Sequence, residues 1–140
     1  MILIDTNIFL EVLLRRKNAP DCRALLDRLS RGELEAVATR FSLHSIEALM
    51  GRHGADVVSF LRTVDQTAGL LVYDTTTADE IAAAMLAEKV KRDFDDALQY
   101  YVAKKLGVDE IVSYDRHFEG LDIRRVEPAE VGRSREGSGR

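Results

Sequence analysis

Four carboxylates in this chain stand where scattered surface acids are not expected. Asp5 directly follows the apolar segment Met1-Ile2-Leu3-Ile4, and Glu47 lies inside the helical stripe Leu43, Ile46, Met50. Asp96 opens a helix, and Asp115 follows the strand segment Glu110 to Ser113. If the fold gathers them, four negative charges share one pocket only with bound cations or with raised pKa values. Such a set reads as an oxygen-ligand metal site that selects hard octahedral cations and suits phosphodiester chemistry. A cation held there would supply an activated water for in-line attack on a phosphodiester, and no histidine base would then be required.

Each acid also has an ordinary explanation. Asp5 before Thr6-Asn7-Ile8 is a good helix N-cap, and its position after a strand permits either role or both. Glu47 points where a core should be, so the ordinary account gives it an Arg partner. Asp93, Asp95 and Asp96 crowd one helix start, where the macrodipole favours acids; Asp93 is then the N-cap, Asp95 a solvated first-turn acid, and only Asp96 need face the site. Asp115 equally suits the cap of a short turn. Asp74 ends a strand candidate too, but Thr75-Thr76-Thr77 explains it as turn chemistry, and it stays outside the site.

Arg15, Arg16 and Lys17 follow the first helix and are candidates for phosphate contact, although a helix end favours such residues for its dipole alone. Arg116 and His117 flank Asp115 and are candidates for the scissile phosphate. His44 lies one helical turn before Glu47, where surface or core placement is the simpler account.

These residues must be positioned by the elements between them. Strand candidates are 1–4, Leu34 to Ala38, Leu70 to Tyr73, Ile111 to Ser113 and Ile123 to Val126. Helical stripes fall at Thr6, Phe9, Leu10, Leu13; at Cys22, Leu25, Leu26, Leu29; at Leu43, Ile46, Glu47, Met50; and at Val57, Phe60, Leu61, Val64. A capping box at Thr76 to Asp79 precedes the stripe Ala78, Ile81, Ala82, Met85, and a last helix runs from about Phe94 to Leu106 and stops at Gly107. Strands separated by helices imply an α/β domain with a mainly parallel sheet, whose active groups collect beyond the carboxyl ends of strands.

At 140 residues with 46% apolar content the chain is expected to form one domain over residues 1–131. The tail Gly132 to Arg140, with three Arg and one Glu, has nothing to bury and is expected to be a disordered basic segment. It carries +2 of the net charge of −4, which leaves −6 on residues 1–131 and argues against broad binding to nucleic acid through a basic face. No apolar run approaches a membrane span, and the first four residues are too short for a signal segment, so a cytoplasmic location without membrane contact is expected. Cys22 is the only cysteine and falls in an apolar stripe, so neither an internal disulfide nor a thiolate zinc site is possible.

Taken together, Ile4-Asp5-Thr6-Asn7, Glu47 after Ser42, Asp96-Ala97-Leu98 with Ala103, and Ser113-Tyr114-Asp115 with Phe118 resemble a PIN-domain ribonuclease. The four motifs run in the right order across residues 1–131, and the subtype they are most similar to is the compact VapC-like toxin of toxin-antitoxin pairs. The resemblance implies a doubly wound sandwich with four or five mainly parallel strands. It further implies that Asp5, Glu47, Asp96 and Asp115 surround one or two Mg²⁺ or Mn²⁺ ions, with Ser113 bonding a neighbouring carboxylate and Thr6 and Asn7 orienting the site. An RNA substrate, an antitoxin partner and a homodimer are implied in the same way.

Other functions share some of these features. An aspartate-nucleophile phosphatase also begins with a strand and Asp, but it needs a second acid two residues later, where this chain has Asn7. A phosphoacceptor receiver has less support still, because the chain lacks the paired early acids and a Lys after a late strand. Within the resembled family, an RNA-processing nuclease that is not a toxin and a catalytically silent interaction domain remain alternatives.

Overall fold

A computed structural model describes residues 1–132, so the expected basic tail, apart from Gly132, lies outside the described residues. Five strands form one parallel sheet: β1 (Ile2–Ile4), β2 (Ala36–Thr39), β3 (Leu70–Tyr73), β4 (Glu110–Val112) and β5 (Arg124–Val126), in the spatial order β3-β2-β1-β4-β5. Between them run the helices α1 (Asn7–Leu13), α2 (Ala19–Ser30), α3 (Arg40–Arg52), α4 (Val57–Gln66), α5 (Thr77–Val90) and α6 (Phe94–Leu106). Two short 3₁₀ turns, Arg116–Phe118 and Pro128–Glu130, complete the described chain.

Alternation along the strands divides the core in two. Ile2, Ile4, Ala36, Ala38 and Val112 face one way, onto the apolar stripes of α1 to α4, among them Phe9, Leu25, Leu29, Leu43 and Phe60. Leu3, Val37 and Ile111 face the other way, onto Ala83 of α5 and Leu98, Val102 and Ala103 of α6. Burial on both faces explains why β1 and residues Ala36 to Ala38 of β2 are continuous apolar runs, whereas the edge strand β5 carries Arg124 and Arg125. The chain winds outward from β1 to β2 and β3, then returns to place β4 on the other side of β1. The strand order therefore reverses between β1 and β4, where α/β sheets leave a crevice beyond the carboxyl ends.

Local signals place the helix ends. Thr76 and Asp79 form the expected capping box of α5, Asp93 caps α6 by accepting the backbone N–H of Asp96, and α6 stops at Gly107 in the left-handed region (φ 68°). The stripe expected to bury α5 does not do so. Ile81 and Met85 are 58% and 68% exposed, and the buried positions of the helix are Asp79 and Ala83. The cause is polar: Asp79 is fixed against α6 by the Tyr101 hydroxyl at 3.1 Å and Lys105 Nζ at 2.7 Å, which turns the apolar stripe outward.

Candidate functional site

Asp5 and Asp115 sit just beyond the carboxyl ends of β1 and β4, and Asp96 lies in the first turn of α6 behind them. Asp5 does two things at once. Its Oδ1 accepts the backbone N–H of Asn7 at 3.2 Å, as a helix-start acid would, and its Oδ2 accepts the Ser113 hydroxyl at 2.8 Å. The Ser113 Oγ in turn accepts the backbone N–H of Asp115 at 2.9 Å, so one buried hydroxyl ties two of the acids together. Asp115 caps the turn Arg116–Phe118 through the backbone N–H of His117 at 2.8 Å, which makes the capping role real and compatible with the site.

That short turn brings the His117 ring back over the acids. Its Nδ1 lies 3.2 Å from Asp96 Oδ2 and 3.2 Å from Asp115 Oδ1. Asp96, Asp115 and His117 each offer one ligand atom, all within 4.8 Å of one another, close enough to share a single cation. Carboxylate oxygens with one imidazole suit a divalent metal that accepts oxygen and nitrogen donors. His117 is thus a neighbour of the acids themselves, although its sequence position suggested only a phosphate contact. Two arginines fix the loop: Arg92 donates to the carbonyls of His117 and Glu119, and Arg125 donates to the Ser113 carbonyl at 2.8 Å. Neither was legible from spacing, because both act through main-chain oxygens far away in sequence.

The acids bear the electrostatic mark of crowding. Burial pushes the Asp5 carboxyl from 3.8 up to about 6, against the lowering effect of its hydrogen bonds from Ser113 and Asn7, with Asp95 and Asp115 adding to the rise. Asp96 is pushed to about 7, by burial first and then by the charges of Asp93 and Asp115. Asp95 departs from its expected role as a solvated acid. It is half-buried, accepts the Ser42 hydroxyl at 2.6 Å, and is also pushed upward by burial.

Glu47 is half-buried on α3 and makes no hydrogen bond or ion pair with any described residue. The Arg partner that would explain it as a structural ion pair is therefore absent among the described residues. Asp74, left outside the site, pairs with Arg40 at 3.2 Å. A groove of about 400 Å³ leads from Asp5, Ser113 and Asp115 along α1, past Asn7, Leu10 and Glu11 to Arg16. Arg16 lines it and pairs with the buried Glu11 at 3.5 Å, whereas Arg15 and Lys17 are exposed and not part of its wall. Arg116 is exposed and pairs with Glu119 at 3.6 Å. Glu11 escaped notice in the sequence because it follows the apolar pair Phe9-Leu10 without a motif of its own.

The family model of the PIN domain matches residues 1–117. The chain belongs to the PIN-domain family. Among solved structures this PIN domain is similar to VapC20 of Mycobacterium tuberculosis, a sarcin-ricin loop cleaving toxin, at 18% identity over 91% of this chain and 100% of that one, with a TM-score of 0.71. A toxin-antitoxin complex from Klebsiella pneumoniae matches at 14% identity over 91% and 98%, with a TM-score of 0.67. VapBC2 from Rickettsia felis, bound to a DNA fragment from its promoter, matches at 12% identity over 91% and 98%, with a TM-score of 0.68. At these identities the likeness is one of fold. No curated protein sequence gives a significant match. Family membership removes the phosphatase and receiver alternatives and agrees with the doubly wound sheet expected from the motifs.

Proposed function

We propose that this PIN domain is an endoribonuclease dependent on Mg²⁺ or Mn²⁺ and that it serves as the toxin of a toxin-antitoxin pair. The observation that carries this proposal is the convergence of Asp5, Asp96 and Asp115, with His117 among them, at the switch point between β1 and β4. When bound, the cation lowers the pKa of a water and offsets charge on the phosphate. The chain's own part is to hold that charge in place. Asp5, Asp96 and Asp115 supply the carboxylates; Glu47 lies outside the cluster of ligand atoms and is proposed as the fourth from its half-buried position without a hydrogen-bond or ion-pair partner among the described residues.

Ser113 fixes the spacing of Asp5 and Asp115 by bonding both. Arg16, Asn7 and Asn18 line the adjoining groove with groups suited to phosphate and base edges, and single-stranded or looped RNA is the form whose bases are free to enter. His117 and Arg116 lie on the turn after Asp115, which Arg92 holds through the His117 carbonyl. Thr6 is buried beside Asp5 at the start of α1 and belongs to the support of the site.

The toxin assignment draws on the likeness in fold to VapC20 and to the two toxin-antitoxin assemblies. On this proposal the protein works in the cytoplasm as a homodimer restrained by an antitoxin protein; among the described residues no helix is long and apolar enough to cross a membrane. An RNA-processing nuclease is the second possibility, with the same site and a different context. Induced expression in a bacterial host separates the two. Growth arrest with RNA fragments under the wild type, absent under Asp96→Asn at equal protein level, is the expected result; unimpeded growth under an active enzyme contradicts the toxin role.

A further inference from the structure

The two helices that carry Glu47 and Asp96 are joined at their first turns by a pair of side-chain contacts. On α3, Phe41 and Ser42 are neighbours; on α6, Phe94 and Asp95 are neighbours. The rings of Phe41 and Phe94 meet edge to face, with centroids 5.1 Å apart and planes at 80°. Beside them the Ser42 hydroxyl donates to Asp95 Oδ1 at 2.6 Å, and Thr39 Oγ donates to Ser42 Oγ at 2.8 Å. Gln99, buried one turn later on α6, directs its amide nitrogen toward the same Asp95 oxygen at 3.5 Å, while its Oε1 has no partner among the described residues. Thr39 ends β2 and is itself buried. The chain of groups therefore runs from the carboxyl end of one central strand, through the start of α3, to the start of α6.

We propose that Ser42 and Asp95 form a polar clamp that sets the separation of the Glu47 helix from the Asp96 helix, and that Asp95 is thereby a positioning residue for the cation site rather than one of its ligands. The inference rests on the nuclease proposal above. The ring contact alone tolerates rotation, whereas a hydroxyl held between Thr39 and Asp95 fixes direction as well as distance. The carboxylate at position 95 accepts from α3 and from its own helix, so its orientation is settled without a cation. Asp96, one residue on, is left to face the site and His117. Loss of groups that orient metal ligands typically costs about ten- to a hundredfold in metal affinity.

The test is Mn²⁺ binding by calorimetric titration of the wild type, Ser42→Ala and Ser42→Thr, together with RNA cleavage across Mn²⁺ concentration. Ser42→Ala leaves every charge in place and keeps the Thr39 cap of α3, which uses the backbone N–H of residue 42. Its expected effect is a loss of roughly tenfold or more in Mn²⁺ affinity. Saturating Mn²⁺ should recover the cleavage rate, KM for RNA should be unmoved, and Ser42→Thr should restore affinity by keeping the hydroxyl. Wild-type affinity in Ser42→Ala overturns the clamp while leaving the nuclease proposal standing. Equal losses in both variants with lowered melting temperatures assign Ser42 to fold stability and overturn the clamp as well. A wild type that neither binds Mn²⁺ nor cuts RNA removes both proposals.

Discussion

Asp5 accepts hydrogen bonds from both sides of the switch point, yet burial among other acids raises its carboxyl from 3.8 to about 6. Asp96 is raised to about 7. In the unfolded chain both acids lose their protons at lower pH than in the fold. The stability they contribute is therefore complete below 3.8 and is lost as pH rises through 6 and then 7. For Asp5 the loss at neutral pH is on the order of 3 kcal/mol. The metal-free protein should accordingly melt lower at pH 8 than at pH 5, and Mn²⁺ should raise the melting temperature more at pH 8, where the carboxylates are charged. Asp5→Asn should leave the metal-free protein at pH 8 as stable as the wild type or more so while removing activity. A marked fall in its melting temperature would show that the hydrogen bonds from Asn7 and Ser113 outweigh the cost of burying the charge.

At the scale of elements, the sheet and helix spans were legible because strand runs and helical stripes differ in period, and because Thr76, Asp93 and Gly107 mark ends by their own chemistry. What was not legible arose from contacts between distant elements. The apolar stripe Ala78, Ile81, Ala82, Met85 signalled the buried face of α5, but Asp79 bonds Tyr101 and Lys105 of α6 and rotates the helix the other way. Asp95 read as a solvated acid because its partner, Ser42, is 53 residues away. His117 joined the acids through a turn whose geometry no periodicity encodes. Gly69 is another such case. It lies where the chain turns into β3, and a Cβ there would stand 2.6 Å from the Leu29 carbonyl oxygen and 2.7 Å from that of Leu34. Both obstacles are backbone, so Gly69→Ala should cost about 1–3 kcal/mol, read as a lower denaturant midpoint with an unchanged slope. An unchanged midpoint would mean that the α2–β2 connection gives way freely.

For the molecule as a whole, the doubly wound sheet explains why acids separated by up to 110 residues in sequence share one crevice: β1 and β4 are neighbours, and α6 delivers Asp96 onto them. If the substrate is RNA, as proposed, the charge of −6 on residues 1–131 leaves little for nonspecific attraction, and recognition would fall to the groove along α1 and to a cation held by the acids. The order of Asp5, Glu47, Asp96 and Asp115 was enough to place the chain in its family, and the same resemblance implied the bond from Ser113 to a neighbouring carboxylate, which is Asp5, whereas the bond from Ser42 to Asp95 needed the folded structure. On the proposed reading the clustered carboxylates make a cation-dependent nuclease, and the decisive experiment incubates end-labelled structured RNAs with the purified protein in Mn²⁺ or Mg²⁺, beside EDTA and an identically purified Asp96→Asn control. Internal cuts that need the metal and vanish in Asp96→Asn are the expected result; cuts that persist in EDTA or in Asp96→Asn would show that these acids and their cation do not carry the reaction.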